Sequence, residues 1–158
     1  MWKSLAELAE RILKPGGFLI AYSGQEHLAR VIKDLSKKLT YFWTCAVFHS
    51  GTQPQIIRKK VTNRWKPILI FSNGQSKSHN GFVDWLTGEK GEKENHEWAQ
   101  SVVEAEYFIE RFSEPTGMIL DPMMGSGSTL KAAFDLKRRA MGIEIDAERF
   151  KVAESFLS

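Results

Sequence analysis

The sequence has few of the residues that build disulfide frameworks, metal sites or membrane spans. A single cysteine, Cys45, excludes an intrachain disulfide, and its apolar surroundings from Tyr41 to Phe48 predict a core residue and not a nucleophile. The four histidines show no His-x-x-x-His spacing and there is no Cys-x-x-Cys pair, so no metal site is expected. The apolar runs are too short to cross a bilayer, and the amino terminus lacks the basic and apolar regions of a signal peptide. We therefore expect a cytoplasmic protein without a membrane partner.

Acidic residues are missing from one long segment. Residues 35 to 83 contain eight lysines and arginines and no aspartate or glutamate, whereas the rest of the chain carries 14 basic and 19 acidic residues. Several of these basic residues cluster between two predicted strands, beside a tryptophan that could stack on a base, and this pattern favours contact with DNA. The alternative is a solvated hairpin whose tryptophan belongs to the core. The candidate DNA-binding residues are Arg58, Lys59, Lys60, Arg64 and Trp65.

Composition and periodicity predict one α/β domain over residues 1–158. With 158 residues, 42% hydrophobic and 26% charged, the chain can bury a sizeable core. Apolar residues recur at helical spacing from Leu5 to Leu13 and again from Leu28 to Leu39, and short apolar runs predict strands. The strands at 41–48 and 67–71 could form an antiparallel pair. We divide the domain into residues 1–72 with the basic hairpin, a polar surface loop over 73–96, and residues 97–158.

The most informative segment runs from Asp121 to Leu130 and is followed by Gly142 to Asp146. Met118 to Leu120 suits a buried parallel strand that places Asp121 at its carboxyl end, the edge where ligands bind in open α/β sheets. Glycines then permit a tight turn, and the helix that starts near Gly127 offers free amides to a carboxylate. Glu144 follows at the end of the next predicted strand, where its carboxylate can accept hydrogen bonds from both hydroxyls of a ribose. These features predict a pocket for S-adenosylmethionine.

Other interpretations of this segment remain open. The glycine turn could serve only tight packing, Asp121 could cap a helix, and Glu144 could be a solvated strand end. A dinucleotide fingerprint would need a third glycine where Leu130 stands, and no P-loop sequence Gly-Lys-Ser/Thr occurs. The nicotinamide and nucleoside triphosphate interpretations are therefore weaker.

These residues resemble the S-adenosylmethionine-dependent DNA amino-methyltransferases, whose motif is Asp-Pro-Phe-x-Gly-Ser-Gly-Thr followed by a Gly-x-Glu strand. This chain has Met123 for the phenylalanine and Ser128 for the threonine, and only 37 residues follow Asp121, as in members with permuted order. The resemblance implies a Rossmann-like sheet with helices on both faces and methyl transfer to an amino group of adenine or cytosine in double-stranded DNA. The cofactor-binding residues that it implies are Asp121, Pro122, Met123, Gly125, Ser126, Gly127, Ser128, Thr129, Glu144 and, from a segment over the methionine end of the ligand, Gln100.

The family also depends on an Asp/Asn/Ser-Pro-Pro-aromatic motif that orients the target amine, and this chain contains no Pro-Pro pair. We therefore name no catalytic residue. The central catalytic strand is expected to be missing from this chain, so that an upstream segment or a second chain would complete the sheet. Met1 would then be an internal methionine of a longer methyltransferase, or the start of a truncated bacterial or phage remnant. A catalytically silent module that binds cofactor or DNA, and a nucleotide-binding domain of another class, are the alternatives.

Overall fold

The computed structural model describes residues 1–49, 55–56, 59–76, 80–88 and 101–158. The chain divides into two compact units, Met1–Thr87 and Gly88–Ser158. That both belong to one domain stays a prediction. The helices are α1 (Trp2–Ile12), α2 (Leu28–Leu35), α3 (Val102–Phe112), α4 (Ser128–Asp135) and α5 (Ala147–Leu157), and a 3₁₀ turn covers Gln25–His27. The strands are β1 (Phe18–Tyr22), β2 (Thr40–His49), β3 (Gln55–Ile56), β4 (Val61–Thr62), β5 (Trp65–Ser72), β6 (Trp85–Gly88), β7 (Met118–Asp121) and β8 (Arg139–Gly142).

The first unit is built on a four-stranded sheet in the order β1-β5-β2-β6. β5 runs antiparallel to both β1 and β2, so β1 and β2 point in the same direction, and the predicted antiparallel pair is confirmed. The apolar stripes of α1 and α2 bury Ala6, Val31 and Leu35 against Leu69 and Phe71 of β5. Part of the core of this unit therefore lies between the two helices and one face of the sheet, and Ile68 and Ile70 are fully buried on the opposite face.

The surface loop predicted for residues 73–96 is wrong in part. Trp85–Gly88 forms β6, which pairs with β2 at the edge of the sheet, and the backbone N–H of Ala46 donates to the carbonyl of Asp84 at 2.8 Å. Four residues between glycines and polar residues give too short a pattern to predict a strand. Residues 77–79 and 89–100, which include His79, His96, Trp98 and Gln100, lie outside the described residues.

The second unit contains a strand, helix and strand in the predicted order. β7 and β8 pair in parallel, with Asp121 opposite Gly142, and α4 connects them. Ala132 and Ala133 of α4 are fully buried and pack with Ile109 of α3. The prediction that β7 is a buried strand is wrong, because none of its residues is buried and Met118 is 52% exposed. Among the strands that the structure describes, β7 pairs with β8 alone.

Candidate cofactor site

Asp121 and the glycine turn after it form the centre of the candidate site. Asp121 Oδ1 accepts the backbone N–H of Met123 at 3.0 Å, which fixes the start of the turn. Gly125 and Gly127 have φ angles of 54° and 87°, a region that residues with a side chain rarely adopt. The N–H of Met124 donates to the carbonyl of Ile143 at 3.0 Å and ties the turn to the chain beyond β8. The sequence forms this turn because glycine stands at both left-handed positions.

Glu144 joins this turn to the start of the last helix. One carboxylate oxygen accepts the N–H of Gly125 at 2.9 Å and the other accepts the N–H of Asp146 at 2.9 Å. These bonds, first that from the Asp146 amide, lower the pKa of Glu144, and desolvation opposes them. The carboxylate is therefore ionised at neutral pH. Asp146 in turn caps α5, since its side chain accepts the amides of Glu148 and Arg149.

The amino terminus of α4 offers amides without a side-chain cap. Gly127 is the N-cap residue, so no side chain accepts the N–H groups of the first turn. A β-carbon at Gly127 would lie 3.3 Å from that of Ala153, whereas one at Gly125 would meet no atom within 4 Å. The turn is thus packed against α5 on one side and open at Gly125. Open space, uncapped amides and an ionised carboxylate fit a ligand that combines a carboxylate with a ribose, as S-adenosylmethionine does.

The structure brings most of the predicted cofactor residues together. Asp121 lies at the end of β7, the Met123 side chain is exposed, and Glu144 reaches back to Gly125. Pro122 and Ser126 belong to the same turn, and Ser128 and Thr129 begin α4. Gln100 lies outside the described residues.

Two contributions to the site were not predicted from the sequence. A β-carbon at Gly142 would lie 2.2 Å from the sulfur of Met124 and 2.7 Å from Leu130 Cδ2, so only glycine lets the turn pack on β8. The glycine of the Gly-x-Glu pattern was the available signal. Asp146 was also missed, although its place before an amphipathic helix is typical of an N-cap.

The basic segment forms a small hairpin in the first unit. β3 and β4 pair antiparallel, with Ile56 opposite Val61, and β5 follows at once. Lys59 Nζ lies 3.6 Å from Glu26 Oε1, Lys60 and Arg64 are exposed, and Trp65 is half-buried with its carbonyl accepting from Gln25 Nε2 at 3.2 Å. Arg58 lies outside the described residues.

Cys45 is a core residue, as predicted, with 1% of its surface exposed. Burial, and to a lesser extent the nearby charge of Asp84, raises the pKa of Cys45 to about 12, which keeps the thiol protonated. Within the described residues, no group of three His, Cys, Asp or Glu side chains could hold a metal ion. None of the described helices is long and apolar enough to cross a membrane.

Comparison with known proteins identifies the family. Residues 78–155, which include the glycine turn and Glu144, match the family model described as DNA methylase. The chain belongs to the DNA methylase family. The predicted family is thereby confirmed on the segment that carries the site.

Two proteins of known sequence match parts of this chain. Type II methyltransferase M.MjaI of Methanocaldococcus jannaschii is 50% identical over 38 residues, which are 24% of this chain and 12% of that protein. YubD of Escherichia coli K12 is 41% identical over 51 residues, which are 32% of this chain and 22% of that protein. The matched segments thus span less than a quarter of these two relatives.

Solved structures confirm the predicted fold class. The M1.HpyAVI–SAM complex superposes with a TM-score of 0.82 at 22% identity, covering 98% of this chain and 82% of that one. PvuII DNA methyltransferase, which is cytosine-N4-specific, superposes with a TM-score of 0.77 at 17% identity, covering 96% and 67%. The expected cofactor, S-adenosylmethionine, is also the ligand of a Thermus thermophilus DNA modification methylase structure that matches with a TM-score of 0.73 at 19% identity, covering 99% of this chain and 73% of that one.

Proposed function

We propose that this chain is the cofactor-binding portion of a DNA amino-methyltransferase, which transfers a methyl group from S-adenosylmethionine to an exocyclic amino group of adenine or cytosine. The observation that carries the proposal is the pair of hydrogen bonds that Glu144 accepts, one from the amide of Gly125 and one from the amide of Asp146. These bonds hold an ionised acid beside the glycine turn and the amino terminus of α4. Such an arrangement suits the charged and hydroxyl groups of S-adenosylmethionine. With DNA as its substrate, the protein would act in the cytoplasm.

Each part of the site has a role in this proposal. The uncapped amides at the start of α4 receive the ligand carboxylate, since the helix amino terminus favours an anion. Asp121 carries a negative charge that attracts the ligand's ammonium group, and only one of its oxygens accepts the Met123 amide. Glu144 keeps further lone pairs for ribose hydroxyls, because each of its oxygens accepts a single backbone amide.

The bound cofactor would supply an electrophilic methyl group on a sulfonium. The chain's own residues would hold that cofactor in a fixed orientation, while the ordered turn excludes alternative placements. No residue of this chain is assigned to the target amine. A catalytically silent S-adenosylmethionine-binding module is the second candidate, because the sequence contains no Pro-Pro pair.

Calorimetric titration of the purified chain with S-adenosylmethionine tests the proposal. Asp121→Asn keeps an oxygen for the Met123 amide but removes the charge, so we expect affinity to fall about 10- to 100-fold while the unfolding midpoint stays unchanged. Glu154→Gln is the matched control, since Glu154 is an exposed acid on α5 whose side chain forms no hydrogen bond or ion pair with the described residues. Unmeasurable binding by the unaltered chain, or equal loss in both variants, would contradict the proposal.

Transfer of a labelled methyl group to DNA then separates the two candidates. Incorporation that disappears with Asp121→Asn would show that this chain carries a complete transferase. Binding without incorporation would identify the cofactor-binding module.

A further inference from the structure

Three aromatic side chains lie in a row across the first sheet, and we name Phe48, Trp65 and Trp85 the aromatic row. Phe48 of β2 is directly opposite Trp65 of β5, so both side chains project from the same face. The rings of Phe48 and Trp85 are in edge-to-face contact, with centroids 6.3 Å apart and an interplanar angle of 78°. The row therefore spans β5, β2 and β6.

Two members of this row are exposed although the same face of the sheet is buried further along. Phe48 is 43% exposed and Trp85 is 55% exposed, whereas Leu69 and Phe71 on the Trp65 side of β5 are fully buried against the helices. In an edge-to-face pair, the ring that contributes its edge keeps both faces free of its partner. The pair of Phe48 and Trp85 therefore keeps at least one ring face that a ligand can contact.

The row lies at the end of the sheet where β1 and β2 have their carboxyl termini. β1 and β2 both run antiparallel to β5, so their carboxyl ends meet at one edge, and Phe48 is the penultimate residue of β2. Ligands bind at the carboxyl ends of strands in open α/β sheets. This position distinguishes the row from exposed aromatic residues elsewhere on the sheet, such as Tyr41 near the start of β2.

Positive charge adjoins the row. Lys60 and Arg64 precede Trp65 within five residues and are exposed, and neither forms an ion pair with an acid among the residues that the structure describes. Two acids lie nearby. Glu26 pairs with Lys59, and the Asp84 side chain is directed to Trp43, on the face opposite the row, where it accepts the indole N–H at 3.2 Å. The local charge is therefore complementary to phosphate.

We propose that the aromatic row is a stacking surface for unpaired bases of DNA, whose phosphates contact Lys60 and Arg64. This inference rests on the proposed function, because it specifies the form in which that DNA is bound. In a duplex the base faces are covered by neighbouring base pairs, whereas each base of an unpaired strand has a free face for an aromatic ring. A base-modifying enzyme that flips its target nucleotide out of the duplex leaves that base and its former partner unpaired. The row holds such bases without reading their sequence.

Fluorescence anisotropy with a labelled oligothymidylate and with a labelled duplex tests the inference. We expect Trp85→Leu to weaken binding of the single strand about tenfold and binding of the duplex less than about twofold. Lys60→Gln should weaken both and reduce the slope of log affinity against log salt by about 0.7 for the single strand. Trp43→Leu is the matched control, because Trp43 is also exposed and on β2 but projects from the opposite face. It should bind both DNAs as the unaltered chain does.

The outcomes separate this inference from the proposed function. If the unaltered chain binds S-adenosylmethionine but Trp85→Leu and Phe48→Leu bind the single strand normally, the row is not a stacking surface and the proposed function stands. Equal weakening by Trp43→Leu, or no binding of the single strand by the unaltered chain, also overturns the inference. If the chain fails to bind S-adenosylmethionine, the proposed function fails, while the DNA titrations still decide the role of the row.

Discussion

Replacing Gly127 with alanine should destabilise the second unit because of two separate physical effects. The φ angle of Gly127 is 87°, and a left-handed backbone costs a residue with a β-carbon about 1–2 kcal/mol. The added β-carbon would lie 3.3 Å from Ala153 Cβ and 3.4 Å from Leu157 Cδ1, and Ala153 is fully buried. Overpacking of this kind costs about 1–2 kcal/mol more, so the free energy of unfolding should fall by about 2–4 kcal/mol.

Urea unfolding followed by circular dichroism measures this loss. With a slope of about 2 kcal/mol per molar, the midpoint should fall by about 1–2 M. Gly125→Ala separates the two effects, because Gly125 also has a positive φ but a β-carbon there would meet no atom within 4 Å. Gly24→Ala, at a φ of −80° and in open space, should change the midpoint little. If Gly127→Ala is no more destabilising than Gly125→Ala, the packing of the turn against α5 is refuted.

Three further predictions concern residues around the site and in the core. Gly142→Ala should lower the free energy of unfolding by about 1–3 kcal/mol, because the added β-carbon would lie 2.2 Å from Met124 Sδ. The same variant should bind S-adenosylmethionine more weakly in calorimetry, and full affinity would contradict this prediction. The lowered pKa of Glu144 stabilises the fold above the ordinary value of 4.5, and this contribution is lost as pH falls through the lowered value. Melting temperatures should therefore fall less steeply with acid in Glu144→Gln than in Glu154→Gln. Cys45, with a pKa of about 12, should react with iodoacetamide at pH 8 only in denaturant, as mass spectrometry would show.

Regular periodicity is what made much of the fold predictable. β1 was predicted with its observed bounds because Phe18 to Tyr22 is a continuous apolar run between glycines and a polar turn. β2 and β5 were predicted from longer apolar runs. Their observed ends lie one or two residues from the predicted ones, because an apolar pattern does not fix the terminal residue of a strand. β6 was missed because its four residues pair only through a tertiary contact with β2.

The residues of the candidate site could be predicted from the sequence, but the hydrogen bonds between them could not. Spacing suggested that Asp121 and Glu144 end neighbouring strands. The strands β7 and β8 do pair in parallel and Asp121 ends β7, but Glu144 lies two residues beyond the end of β8. The bonds of Glu144 to the amides of Gly125 and Asp146 depend on backbone angles that residue types do not specify. The exposure of β7 likewise depends on which strands pair beside it, a property of the whole sheet.

The bonds of Glu144 explain how the site can be formed before its ligand binds. If Glu144 made no hydrogen bonds before the ligand arrived, its side chain would be flexible, and binding of the ribose would have to order it. Here two backbone amides hold the carboxylate, and the same bonds hold Gly125 in its left-handed conformation. Because each oxygen keeps a lone pair, ligand hydroxyls can bind without breaking the turn. Less conformational entropy is then lost on binding, so the residue that recognises the ligand also prepares the turn that receives it.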